Sequence, residues 1–240
     1  MAIVNIEVYS DVVCPWCFVG RKRLEKAVHL LDGKHEVHVT WKPYQLNPWI
    51  PVEGMDRAEY RRIKFGSAER SAGMDAQLVE AGRGEGIELA FERVTRAPNT
   101  IAAHRLIWLA EQQGRQIEMV DTLFQAYFTD GKDIGDLAQL AELAGVAGLD
   151  ADEARRFLAS EEGLTEVEAE LEHGRALGID GVPFFLLAGK YGVSGAQPAE
   201  VLVNVIERVV ELETPKKPEL LTVGATATGA ACSVDAPENC

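Results

Sequence analysis

The sequence predicts an α/β domain interrupted by an all-helical insertion, and three observations carry that prediction. Residues 4–44 read strand, helix, strand; residues 184–213 read strand, strand, helix; helical spacing fills the interval between them. The expected division is residues 1–50 as the first α/β part, 51–163 as the insertion, 164–213 as the second part and 214–240 as a tail.

In "VNIEVY", Val4–Tyr9, apolar and polar residues alternate with the period of a half-buried strand. Pro15 then fits the first turn of a helix, where its missing N–H would have no partner anyway. That helix continues through Leu24, Ala27, Val28 and Leu31 and is expected to stop at Gly33. Alternation resumes in "HEVHVTWKPY" with Val37, Val39 and Trp41, which predicts a parallel βαβ unit with a right-handed connection.

From Pro51 the spacing turns helical. Ile117, Val120, Phe124 and Tyr127 form one stripe, and Ile134, Leu137, Leu140 and Leu143 form another. Asp150 has the chemistry of an N-cap, and Leu164, Val167 and Leu171 share one face of Glu161–Leu177. Short strands are expected at Phe184–Ala188 and Tyr191–Ser194, joined by a Gly189–Lys190 turn. The closing helix, Pro198–Glu213, is expected to turn Val201, Val205, Val209 and Leu212 inward. The remainder, rich in Pro, Gly, Ala and Thr without a sustained period, reads as a mobile tail.

Composition narrows the function classes. A formal charge of −14 argues against nucleic acid, whose phosphates require clustered Lys and Arg. No apolar run approaches the ~18–20 residues of a membrane span. The start, "MAIVNIEVYSD", lacks the basic and apolar regions of a secretory signal, so a cytoplasmic location is expected. In that reducing compartment a structural disulfide is disfavoured, and metal binding or redox chemistry gains weight for the four cysteines.

Two of them form "CPWC", Cys14 to Cys17, where the first strand gives way to the helix. A thiol attacks as thiolate, and a helix N-terminus favours the anion through unpaired N–H groups and the macrodipole. Cys14 occupies the cap position, where its thiolate could accept N–H bonds from Trp16 or Cys17. Cys17 lies one turn inward on the same face. That asymmetry predicts that Cys14 attacks and Cys17 resolves the mixed disulfide. Zinc needs four ligands, and the other cysteines, Cys232 and Cys240, have seven residues between them in the tail. Ligand count and spacing therefore favour redox chemistry over a metal.

A second feature is "GVPFF", Gly181–Phe185, where Pro183 directly precedes a strand. A cis Val182–Pro183 bond would leave the Val182 backbone free beside the thiols; a trans proline entering a strand is the plainer alternative.

Strand–CPWC–helix, a helical insertion, then "GVPFF" and a hairpin resemble the thioredoxin-fold disulfide oxidoreductases of the DsbA type. The stretches "YSDVVCPWCFVGRKRLEKA", "APNTIAAHRLIWLA" and "GIDGVPFFLL…YGVSGAQP" resemble more narrowly their cytoplasmic FrnE-like branch, over about Ile3–Val210. The resemblance implies a thioredoxin fold, Cys14 as nucleophile, Cys17 as resolving thiol and Pro183 as a cis proline facing them. It also implies that the Val182 backbone pairs with a bound peptide as an added strand. Pro15 and Trp16, between the thiols, are the further substrate-contacting candidates.

The function expected is disulfide exchange, including isomerisation, with protein or small-molecule thiols. No prosthetic cofactor is expected, and glutathione or another thiol would be the redox partner. One alternative is a glutathione-dependent isomerase or transferase of small aromatic metabolites. Its hydroxychromene-carboxylate and kappa-type members typically carry serine where this chain has Cys14. A redox-gated, chaperone-like binding protein is the other alternative.

Weaker candidates remain. Asp11, three residues before Cys14, could relay protons to Cys17 or satisfy loop N–H groups. His104, in "AAHRLIW", reads as a packing histidine more readily than a catalytic one. The glycines of "AGRGEGIEL" follow no strand, which argues against a phosphate loop. Cys232 and Cys240 could serve as an auxiliary redox pair, since a flexible tether of about 20 residues spans on the order of 25 Å root-mean-square.

Overall fold

The structure, a computed structural model, describes residues 1–66 and 68–214. Cys232 and Cys240 lie outside the described residues.

Strand β1 (Ala2–Ser10), helix α1 (Pro15–Leu30) and strand β2 (His35–Pro43) form the first α/β part. β1 and β2 pair in parallel, with Val8 opposite Trp41 and Tyr9 opposite Lys42. Strands β5 (Phe184–Leu187) and β6 (Tyr191–Ser194) join the sheet antiparallel, in the order β2-β1-β5-β6. Residues that are distant in sequence thus meet at one sheet end: Tyr9 of β1 pairs with Phe184 of β5, directly after Pro183.

Alternation along β1 divides the two faces. Val4, Ile6 and Val8 enter the core that contains Phe18, Val19 and Leu24 of α1. Tyr9 faces the other way, toward helix α8 (Leu164–Ala176), whose Gly174 leaves space for the ring. A Cβ at Gly174 would stand 3.0 Å from the Tyr9 Cε1. Lys42 and Glu170 form an ion pair on the same side.

The β5–β6 turn centres on Ala188 and Gly189, both at positive φ (51° and 66°), rather than on Gly189 and Lys190. Two consecutive left-handed residues give the backbone twist that suits a tight hairpin. Helix α9 (Ala199–Glu213) packs on α1 through Ala199, Leu202, Ile206 and Val209. The expected inward face was therefore rotated: Val201 and Leu212 are exposed, because branched aliphatics line more than one side of this helix.

Between these parts lie helices α2 (Arg57–Phe65), α3 (Ala68–Gly84), α4 (Ile101–Gln112), α5 (Gln116–Phe128), α6 (Leu137–Val146) and α7 (Ala151–Leu158). The insertion also carries a two-stranded ribbon, β3 (Met55–Asp56) with β4 (Arg96–Ala97). Two residues per strand leave no periodicity for a sequence pattern to register. Asp56, Asp136 and Asp150 each cap a helix, accepting from Glu59, Gln139 and Glu153 N–H at 3.0, 2.8 and 2.7 Å.

The insertion is fastened to α1 by both aromatic and ionic contacts. Phe18 of α1 stacks on Phe124 of α5 at 5.1 Å and 9°. Arg21 reaches Asp121 at 2.8 Å, and Arg23 joins Glu85 at 2.7 Å and the Ala196 carbonyl at 2.6 Å. Arg105 of α4 donates to the carbonyls of Phe157, Ser160 and Glu162, tying α4 to the loop that follows α7.

Candidate active site

The chain leaves β1 at Ser10 and turns into α1 within four residues. Cys14 N–H donates to the Asp11 carbonyl at 2.9 Å, closing that turn. Cys14 is the N-cap residue with extended backbone (φ −96°, ψ 110°), and Pro15 begins the helix. The sequence places the cap there because Pro15 lacks an N–H and disfavours helical geometry in the residue before it.

Both cysteines are free thiols, and their surroundings differ. Cys14 retains 5% exposure and Cys17 none. Burial pushes the Cys17 thiol well above its ordinary pKa, reinforced by the neighbouring Cys14. Contacts with Ser10 and the Asp11 backbone pull the other way without reversing the direction.

Cys14 Sγ makes no capping hydrogen bond. It donates instead to the Val182 carbonyl at 3.5 Å. The Cys17 N–H, one of the two donors expected for a thiolate, is taken by the Cys14 carbonyl at 3.0 Å. The Trp16 N–H makes no hydrogen bond among the described residues and stays available at the helix start. A protonated sulfur needs an acceptor, which explains why the thiol turns to a carbonyl rather than to the helix.

The Val182–Pro183 bond is cis. Pro183 is buried against α1, where Gly20 lies five residues, about one and a half turns, from the helix start. A Cβ on Gly20 would come 2.9 Å from Pro183 Cγ. The proline ring has little freedom to move aside. Gly20→Ala is therefore expected to destabilise the protein by about 1–3 kcal/mol through overpacking. It should also slow exchange, by up to about 100-fold if the Val182 carbonyl shifts by an ångström. Thermal unfolding and exchange rates on the purified variant check both; unchanged values would mean that the contact is slack.

Asp11 is fully buried, and its carboxylate is occupied by the loop that follows β2. It accepts from Leu46 N–H at 2.8 Å and Val13 N–H at 3.5 Å, with His104 Nε2 at 3.5 Å. His104 in turn donates to the Tyr44 carbonyl at 3.0 Å. Asp11 thus satisfies N–H groups of two loops, and His104 ties α4 to the loop after β2.

Pro15 and Trp16 line a groove of about 200 Å³ together with Val13. Its opposite wall is α2 and α3, contributing Arg57, Tyr60, Lys64, Met74 and Leu78. Phe91 and Phe128 form its apolar floor. Buried Asn47 ties the loop after β2 to α2: its amide donates to Tyr60 Oη at 3.3 Å, and its carbonyl oxygen accepts from Lys64 Nζ at 2.5 Å. Sequence reasoning missed this wall. The signal present was the i, i+3, i+4, i+7 spacing of Arg57, Tyr60, Arg61 and Lys64, one helical face composed of polar and cationic groups.

The arrangement is a dithiol with one sulfur near the surface beside a cis proline and a peptide carbonyl, and the other sealed beneath it. No cluster with metal-binding composition occurs among the described residues. No helix among them is long and apolar enough to cross a membrane.

Comparison with known proteins identifies the fold. Residues 5–207 match the model of the DSBA-like thioredoxin domain. The YwbO protein of Bacillus subtilis (strain 168) is 30% identical over 215 residues, covering 89% of this chain and 99% of its own. The crystal structure of the "probable DsbA oxidoreductase SCO1869" from Streptomyces coelicolor is 35% identical and superposes with a TM-score of 0.80, covering 89% of this chain and 93% of that one. The cytosolic disulfide reductase DsbM from Pseudomonas aeruginosa, solved with GSH, shares the fold at 19% identity and a TM-score of 0.62, over 86% of this chain and 99% of its own. By the extent of the domain match, the chain belongs to the DSBA-like thioredoxin domain family, a family of thiol–disulfide oxidoreductases.

Proposed function

We propose that this chain exchanges disulfides with protein or small-molecule thiols through Cys14 and Cys17. The observation that carries the reading is the unequal setting of the two sulfurs, one beside Val182 and Pro183, the other fully buried and held protonated. In the reducing direction the Cys14 thiolate attacks a substrate disulfide. The substrate S–S bond breaks, one substrate sulfur departs and takes up a proton, and the other stays bonded to Cys14. Cys17 then loses its proton and attacks Cys14 Sγ. The second substrate thiol leaves, and two electrons have passed from the dithiol to the substrate. The reverse sequence oxidises a dithiol, and attack without net transfer isomerises.

Several residues support these steps. The Val182 carbonyl, turned toward Cys14, can instead pair with the backbone of an extended substrate. Trp16 and Pro15 give that substrate an apolar surface beside the nucleophile. The freed Trp16 N–H and the positive end of α1 suit the Cys14 thiolate that forms when a product thiol departs. No prosthetic group enters this cycle. A small thiol such as glutathione, the ligand with which the structural relative DsbM was solved, would restore the working redox state. We place this activity in the cytoplasm, with the FrnE-like branch.

Insulin reduction in the presence of dithiothreitol tests the reading. The wild-type chain should accelerate precipitation of the reduced insulin chain, and Cys14→Ser should not. Saturable glutathione-dependent turnover of an aromatic substrate that survives Cys17→Ser would favour the isomerase alternative instead. Suppression of aggregation indifferent to Cys14→Ser would favour the binding-protein alternative.

A further inference from the structure

A chain with a formal charge of −14 places cations beside its nucleophile. Arg57, Arg61 and Lys64 all line the groove that Pro15 and Trp16 enter. Arg61 is neutralised by Asp75 at 2.7 Å. Arg57 and Lys64 have no carboxylate within ion-pair distance among the described residues. Aromatic faces and an amide hold them instead. The Arg57 guanidinium lies 5.4 Å from the centre of the Phe91 ring, and the Lys64 ammonium 5.6 Å from that of Tyr60. Asn47 Oδ1 fixes the ammonium.

Seven residues apart on one helix, Arg57 and Lys64 share a face, with their backbone positions about 10 Å apart along the axis. The groove that both cations line is otherwise apolar at Leu78, Phe91 and Phe128. Poorly solvated walls strengthen the field of a cation that no carboxylate pairs directly. Burial lowers the Lys64 pKa from its ordinary value, while Asp11 and Cys14 favour its charged form, which sets it in the electrostatic neighbourhood of the nucleophile.

We propose that Arg57 and Lys64 form an acid-selecting subsite, and that the preferred partner is a polypeptide disulfide with Asp or Glu within a few residues of the attacked cysteine. The inference rests on the disulfide-exchange reading and names the substrate class of that same site. Charge complementarity selects the acidic side chain. The apolar rim selects a polypeptide over a small thiol: Trp16 and Met74 are each 40% exposed at the groove, and Trp49, 48% exposed, extends it by stacking on Tyr60 at 6.1 Å. A chain whose backbone meets Val182 and whose neighbouring side chains lie over Trp16 and between the two cations would use all of these groups together.

The test compares peptides of equal length, each bearing one cysteine as a mixed disulfide with a chromophoric thiol and flanked by Glu, Gln or Lys. Oxidised glutathione serves as the small carboxylate-bearing arm. At low ionic strength the wild-type protein should react with the Glu peptide about tenfold or more faster in kcat/KM than with the Lys peptide, mainly through KM. The net charge of the whole chain predicts the opposite order, so the sign of the preference separates a local subsite from the average field. At about 1 M salt, where screening acts over ~3 Å, the ratio should fall toward one in the wild type. The Arg57→Gln, Lys64→Gln double variant should show the same collapse at low salt, read as a ratio on one protein. Equal rates for the three peptides, or faster reaction of the Lys peptide, would overturn the subsite while leaving exchange itself in place. A charge preference confined to glutathione disulfide and absent among the peptides would overturn the polypeptide assignment. Failure of the folded wild type to react with any disulfide would remove the exchange reading, and the subsite with it.

Discussion

Cys17→Ser should accumulate a stable mixed disulfide on Cys14, whereas Cys14→Ser should lose exchange by more than about 10³-fold and carry no comparable adduct on Cys17. The asymmetry follows from access before it follows from reactivity. Cys17 has no exposed surface and lies beneath Cys14, so an incoming disulfide meets Cys14 first. Once Cys14 is bonded to substrate, release requires a second sulfur within reach, and Cys17 is placed one helical turn away on the same face. Serine at 17 keeps the size and burial of the side chain but cannot expel the substrate thiol, so the intermediate persists. Mass spectrometry after reaction with oxidised glutathione or a peptide disulfide reads the outcome directly. Stable adducts on Cys17 in Cys14→Ser, with none on Cys14 in the reverse variant, would invert the roles.

Legibility in the sequence followed contact distance. The βαβ start and the β5–β6 hairpin were readable because alternation, Pro15 and Gly189 act within a few residues of one another. CPWC was readable for the same reason. Pro183 became a candidate only alongside the cysteines, and its place against Gly20 depends on a fold that brings the two ends of the chain together. Asp11 shows the limit from the other side. Its residue type favoured loop binding over a relay without naming partners, and the partners it has, Leu46 and His104, are neither of them adjacent in sequence. The groove wall was the least legible feature. α2 has no buried residue, so no apolar stripe marks it, and its cations gain meaning only beside Phe91, Phe128 and Trp16. Branched aliphatics along α9 gave the opposite difficulty, with more apolar positions than one inward face could take.

The step that closes the Cys14–Cys17 disulfide is expected to accelerate about tenfold per pH unit between about pH 6 and 8. Attack requires the Cys17 thiolate, and burial, the largest cause of its raised pKa, persists after Cys14 has bonded to substrate. The repulsive contribution of Cys14 disappears at that stage, which moderates the shift without changing its direction. Below a raised pKa each pH unit multiplies the thiolate fraction tenfold, and the nucleophilicity of the formed thiolate stays constant. Rapid mixing of the reduced protein with a chromophoric disulfide should resolve two releases of thiol, the second carrying this slope. A second phase flat across the interval would show that Cys17 ionises near or below neutral pH. Ser10 supplies a control, because its contact lowers the Cys17 pKa. Ser10→Ala should slow the second phase at fixed pH and keep the slope. Linkage adds an equilibrium counterpart with the same sign. The unfolded chain releases the Cys17 proton at the ordinary thiol pKa, below that of the folded protein. The stabilisation is thus complete below the unfolded value and is lost as pH rises toward the folded one. Urea midpoints of the reduced protein should therefore fall as pH rises through the ordinary thiol range, and that fall should be smaller in Cys17→Ser, which leaves only other groups with raised pKa values, such as Tyr9, to contribute at higher pH.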